Sequence, residues 1–415
     1  MARWSMLRTA VGCRNADRVT AGRVLSRSTP VALISGVLGV LLVAGCAVGD
    51  AAAQGIAVPS PPPPVTLAQI TSDPANHEVA VSPLEPITVT VAEGTFEQVT
   101  LTNGEGDSIP GQLSPDGLTW RTTQPLGYRQ TYTITASANG ADNHRVTQIS
   151  KFTTIVPRTV TFPSVNPLDG QTVGVGQPLA IYFDEPISDK KAAQDAITVT
   201  TAPQVEGAFY WYSDKEVHWR PQEFWEPGTQ VTADIKVYGK NLGNGVYGEE
   251  DRTIKFTIGD SVIARADGAT HQMTVEINGQ TVRTMPISMG SPRFPSNNGI
   301  HVVTDRHANK VMDSTTFGLQ LTEGGYVTEV KWATRISNGG EFVHSAPWSV
   351  RQQGHSNVSH GCINLSPENA KWFYDTVKKG DIVINTNTGG SDLRVWDGFG
   401  DWQVPWAQWL TGGAN

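Results

Sequence analysis

Cysteine is almost missing from this chain, with three in 415 residues. Cys13 and Cys46 fall near the amino terminus, so Cys362 stands alone in the body of the protein and has no internal disulfide partner. Charge is also scarce at 17%, and its balance is acidic, net -8, which excludes the basic footprint of a nucleic-acid binder. Apolar runs are short except for one, Val31 to Gly45, which excludes a multi-span membrane protein. Aromatics make up only 8%, yet 12 of them are Trp, and with 42 Gly they favour strands and turns over helical bundles. A hydrophobic fraction of 39% is enough to build about two or three globular domains.

Residues 1–45 read as an export signal. Arg3, Arg8, Arg14, Arg18, Arg23 and Arg27 face one acid, Asp17, ahead of the apolar run. The stretch Leu42-Val43-Ala44-Gly45-Cys46 resembles a bacterial lipobox, which implies lipidation of Cys46. Ordinary cleavage, or retention as an anchor helix, are the alternatives. Loss of residues 1–45 takes the charge from -8 to -13, since six arginines and one aspartate leave. A free thiol outside the cytoplasm must be buried or used. Pro59 to Pro64 then form an extended spacer; at about 3.1 Å per residue, residues 47–65 reach at most about 60 Å.

From 66 to 258, short alternating runs such as Ile87 to Val91 and Thr131 to Thr135 recur between turn residues, as in antiparallel sandwiches. Ser114 to Arg121 is echoed by Ser213 to Arg220, and Lys151-Phe152-Thr153 by Lys255-Phe256-Thr257. Two immunoglobulin-like β-sandwiches are expected, at 66–156 and 157–258, with Trp120 and Trp219 in their cores rather than stacking on carbohydrate. A β-rich unit follows at 259–385. Asn278-Gly279 between alternating runs predicts a hairpin. Ser366, Pro367 and Glu368 open one helix, with Ala370, Phe373, Tyr374 and Val377 on its apolar face and Gly380 closing it. The tail, 386–415, carries Trp396, Trp402, Trp406 and Trp409 and is expected to fold back onto the other domains.

Five of nine histidines lie between 301 and 360. His344, His355 and His360 closely precede Cys362. A thiol nucleophile needs a base, a group to orient that base, and amide donors for the oxyanion. His344 ends an apolar strand-like run whose following loop can return Cys362 beside it, and Gly361 permits a tight turn there. Helix-dipole activation is weak, because Cys362 lies four residues before the cap Ser366. Two other readings compete. Cys362 is a buried apolar thiol among surface histidines, or His344, His355, His360 and Cys362 hold zinc, although their spacing fits no standard zinc pattern and no acid joins them.

Ser359-His360-Gly361-Cys362-Ile363-Asn364, with His344 18 residues ahead of the cysteine, resembles the [S/T]-H-G-C-x-N signature of bacterial L,D-transpeptidases of the YkuD fold. The resemblance extends over 46–415 to lipid-anchored members with paired immunoglobulin-like domains. It implies that Cys362 is the nucleophile and His344 its base, that Ser345 orients the imidazole through its carbonyl, and that the amides of His360, Gly361 and Cys362 are oxyanion donors. Ser359, His360 and Asn364 would frame the site, and Met312, Tyr326 and Trp348 would line the substrate channel. His355 has no implied role. The segment Gln320 to Gly325 is one residue shorter than the family pattern, which leaves the lid contacts open.

The implied enzyme is exported, lipid-anchored through Cys46 at the outer face of the cytoplasmic membrane, and acts in the cell wall. Its partners would be peptidoglycan stem peptides, a donor tetrapeptide and an acceptor, joined between diaminopimelate residues without metal or cofactor. Carbapenem β-lactams would acylate Cys362. An L,D-carboxypeptidase that resolves the same acyl-enzyme with water, and a non-catalytic wall-binding lipoprotein, remain as alternatives. The acidic sandwiches would act as spacers or bind glycan.

Overall fold

A computed structural model describes residues 67–141 and 143–413. Cys46, the lipobox and the proline run lie outside the described residues.

Alternation along the strands places one face of each inward, and the described chain is accordingly dominated by β-sheet. The first sandwich pairs two four-stranded sheets. One runs Gln69–Asp73, Thr88–Ala92, Thr119–Thr122, Gly111–Leu113, and the other Ser108–Ile109, Gly94–Thr102, Thr131–Gly140, Arg145–Thr153. The second sandwich repeats this plan with Pro163–Asn166, Leu179–Phe183, Glu216–Pro221, Gly207–Ser213 in one sheet. Thr172–Val173, Arg252–Ile258, Gln230–Ile235 and Ile197–Ala202 form the other. The sequence echo has a packing cause. Trp120 and Trp219 are each buried, and Gly111 and Gly207 on the neighbouring strands leave room for their indoles, since an added Cβ at either would overlap the ring. Phe152 and Phe256, from the two Lys-Phe-Thr echoes, are buried in the respective cores.

The third unit has two sheets. A five-stranded one runs Gln280–Pro286, Gln272–Ile277, Val262–Asp267, Ile382–Thr386, Gly299–Val302. A four-stranded one runs Asp305–Asp313, Val327–Arg335, Phe342–Ser345, Ile363–Leu365. Asn278 and Gly279 both have positive φ, 50° and 78°, as a two-residue type I′ hairpin requires. The helix spans Pro367–Thr376, with the Ser366 hydroxyl accepting from the Asn369 amide at 3.3 Å. Two expectations are corrected here. Val377 turns to extended backbone and caps the helix from outside it, and Tyr374 is only half-buried, its ring beside Trp332 and the Arg306 guanidinium.

The tail does fold back, onto the second sandwich. Trp409 is fully buried and donates its indole N–H to the Ala208 carbonyl at 2.8 Å, and Trp402 donates to Gly176 at 2.8 Å. The Arg220 guanidinium lies 4.3 Å from the Trp409 ring and 4.6 Å from that of Trp402, a cation–π arrangement. Trp396 is the exception, 60% exposed. Val302, Ile382 and Phe399 enter the second sandwich's hydrophobic core, so sandwich, third unit and tail share apolar packing.

Candidate active site

His344 and Cys362 come together because their strands are neighbours. Phe342–Ser345 pairs in parallel with Ile363–Leu365, His344 opposite Asn364, and Cys362 sits at the entry to the second of these strands. Both line a cavity of about 360 Å³ with Met312, Tyr326, Trp348, Ser359, His360 and Asn364, the set expected from sequence. Thr328 and Val358 line it too, and no sequence signal marked them. His355 is exposed and absent from the lining, which removes the fourth zinc donor.

The Ser345 carbonyl lies 2.9 Å from His344 Nδ1. A carbonyl only accepts, so Nδ1 carries the ring proton and Nε2 keeps its lone pair, the state a base needs. Burial pushes the His344 imidazole down to about 4, against the pull of that bond. The Cys362 thiol is 4% exposed, with Met312, Val330, Ala333 and Phe342 around it and its Sγ 3.7 Å from the Gly340 carbonyl. Burial pushes it up to about 12. The Phe342 amide draws it down, Glu341 adds to the rise, and Arg335 opposes it. Both shifts favour the neutral thiol–imidazole pair over thiolate–imidazolium at rest. The thiol is thus packed as a structural cysteine would be, yet it borders the cavity.

Gly361 has φ 116°, a left-handed conformation that glycine adopts without strain, and so allows the turn between His360 and Cys362. One of the expected oxyanion donors already has a partner. The Gly361 amide donates to Ser359 Oγ at 3.1 Å, while that hydroxyl donates to the Cys362 carbonyl at 2.6 Å. At rest, therefore, the Gly361 N–H is committed within the turn, and Ser359 acts as its internal brace. Ser296, 65 residues away, adds a second brace by donating to the Gly361 carbonyl at 2.6 Å.

Residues 314–326, with 3-10 turns at Ser314–Phe317 and Leu321–Glu323, lead to Tyr326 at the cavity. His360 Nε2 donates to the Gly324 carbonyl at 2.9 Å, its ring stacked on Phe294 and beside Tyr326, while Arg293 donates to Glu323 at 2.9 Å. Burial pushes the Tyr326 phenol up to about 12, with the Cys362 charge adding to it. Trp348 stands at the mouth, 57% exposed, its ring centroid 6.1 Å from that of His344. Asn364, which lines the cavity, donates to the buried Ser349 Oγ at 3.1 Å.

Residues 78–241 match the bacterial Ig domain family, and residues 261–384 match the L,D-transpeptidase catalytic domain. The chain is 50% identical over 348 residues to L,D-transpeptidase 2 of Mycobacterium tuberculosis (strain CDC 1551 / Oshkosh), covering 84% of this chain and 85% of that protein. It is 40% identical to L,D-transpeptidase 5 of Mycobacterium tuberculosis (strain ATCC 25618 / H37Rv), covering 84% and 77%. A solved structure of the L,D-transpeptidase LdtMt1 in complex with imipenem is 37% identical, with TM-score 0.49, covering 56% of this chain and 100% of that one. On the strength of its relatives at 50% and 40% identity, this chain belongs to the L,D-transpeptidases.

Proposed function

We propose that Cys362 carries the acyl group between two peptidoglycan stem peptides. The observation that supports this most is one cavity bordered by a lone thiol and by an imidazole whose Nδ1 is held by a backbone carbonyl. The Cys362 sulfur attacks the carbonyl at the L-centre of diaminopimelate in a donor tetrapeptide. A C–S bond forms as the C–N bond to terminal D-Ala breaks. His344 Nε2 takes the thiol proton during attack and returns it to the leaving amine. Because thiol and imidazole are both neutral at rest, deprotonation coincides with attack instead of preceding it. The oxyanion falls to the His360 and Cys362 amides, and the Gly361 amide joins them when Ser359 Oγ releases it.

The side-chain amine of a second stem's diaminopimelate then attacks the thioester. It gives its proton to His344, and the departing sulfur takes that proton back. The product is a crosslink between third residues. The reaction is an acyl exchange that calls for no metal or redox partner. Carbapenems present a strained acyl carbonyl and would acylate the same sulfur. Export, with Cys46 lipidated and the acidic sandwiches as spacers at the outer face of the cytoplasmic membrane, completes the reading.

Incubation with a purified disaccharide-tetrapeptide tests it by mass spectrometry. Crosslinked dimer with release of D-Ala supports transfer, whereas tripeptide alone makes the protein an L,D-carboxypeptidase. No product with an intact fold would leave a wall-binding lipoprotein.

A further inference from the structure

Behind Cys362 lies a carboxyl that the proposed mechanism does not use. Glu341 is 7% exposed and directly precedes Phe342, whose strand holds His344. Its Oε1 accepts from the Asn297 amide at 2.8 Å, and its carboxyl packs against Gly361, where an added Cβ would sit 3.6 Å from Oε1. Oε2 is buried without a hydrogen-bond partner, 3.6 Å from His301 Nδ1. A buried acid with one idle oxygen is costly when ionised.

The groups facing it come from four segments. His301, on Gly299–Val302, is fully buried and held neutral by burial, its Nδ1 3.3 Å from the Ile336 carbonyl and its Nε2 3.1 Å from Asn385 Nδ2. Asp397, from the tail, accepts from the Asn338 and Gly339 amides. Arg335 stacks on Phe342, 4.5 Å from its ring, and Cys362 lies across the Gly361 turn.

We propose that Glu341 is a positioning residue for acyl transfer: its carboxyl ties the 296–298 loop beneath the Gly361 turn, and its protonation state sets the charge that confronts the Cys362 sulfur. The protonated acid leaves the site neutral and permits thiolate character to develop during attack. The carboxylate, formed by loss of a proton to solvent, opposes that development by like-charge repulsion. Burial pushes the Glu341 carboxyl up to about 8, the Asn297 amide drawing it down and Asp397 pushing it further up, so this change of charge falls within the pH range tested below. The inference rests on Cys362 being the nucleophile.

The test uses the full chain, wild type and Glu341→Gln, with two probes followed at Cys362 by mass spectrometry from pH 6.5 to 9. Iodoacetamide reports the thiolate, and imipenem reports acylation. Glutamine keeps the acceptor for Asn297 and cannot ionise. The ratio of variant to wild-type rate is expected to climb about tenfold across this range, the equivalent of one pKa unit at the sulfur. Glu341→Ala also loses the acceptor and is expected to slow acylation at pH 6.5, where the wild-type carboxyl carries no charge, with Glu341→Gln restoring it. If the Ala variant fails to fold, the Gln ratio still decides. A ratio that stays flat with pH overturns the inference. Wild type that is alkylated but never acylated would instead sink the nucleophile reading, and its alkylation ratio would still report the charge effect.

Discussion

His218 Nδ1 lies 2.7 Å from Asp401 Oδ1, joining the second sandwich to the carboxyl-terminal segment 183 residues later. His218 Nε2 meets Glu216 at 3.1 Å, and both His218 and Asp401 are buried. Burial alone would discharge the imidazole, yet the Asp401 carboxylate beside it overrides that and, with Glu216, pushes it up to about 9. A raised pKa stabilises the fold fully below about 6.5, and that contribution is lost as pH rises through about 9.

Asp401→Asn should therefore destabilise the protein near pH 6 by about 3–5 kcal/mol, the usual result of removing one partner of a buried pair. The gap between wild type and variant should narrow toward pH 9.5. Calorimetric melting at the two pH values checks this, and an equal gap at both would show that His218 is not charged in the fold.

Ser296 Oγ, fully buried, bridges the Gly290 amide at 3.0 Å and the Gly361 carbonyl at 2.6 Å. Ser296→Ala strands both groups at a cost of about 1–3 kcal/mol. The turn carrying Cys362 loses its outer brace, and imipenem acylation should slow roughly tenfold to a hundredfold, since small misplacements are expensive in acyl transfer. Acylation kinetics with a parallel circular dichroism spectrum separate this from unfolding.

Trp120→Ala empties the first sandwich's core beside Leu101 and Phe152, and should cost about 3–5 kcal/mol in that unit. Cys362 acylation at 25 °C should stay at the wild-type rate, because none of the cavity-lining residues belongs to that sandwich. Slower acylation in this variant would mean that the first sandwich takes part in the site.

That Cys362 and His344 share one site was legible in the sequence because each sits in a short local signal. The turn Ser359-His360-Gly361-Cys362 is one unit, and His344 lies in the short apolar strand Phe342–Ser345. The Asn278-Gly279 hairpin and the paired Trp echoes were legible for the same local reason. Ser296, Thr328 and Glu341 were not. Each is an ordinary residue made important by chain segments far away in sequence, as when the Ser296 hydroxyl meets Gly361. The tail's tryptophans announced packing, but which would pack was decided by the second sandwich, whose Arg220 and Ala208 gather Trp402 and Trp409 while Trp396 stays in solvent. The commitment of the Gly361 amide to Ser359 was hidden, since the motif names both residues without saying which groups meet.

The most direct measurement is intact mass after imipenem exposure, followed by peptide mapping, for wild type, Cys362→Ala and His344→Ala. Wild type should gain one carbapenem, mapped to Cys362. Cys362→Ala should gain none, and His344→Ala should react about 10²- to 10⁴-fold more slowly. An adduct that persists in Cys362→Ala, or a wild-type protein that gains no mass, would contradict the assignment of this sulfur as the acyl carrier.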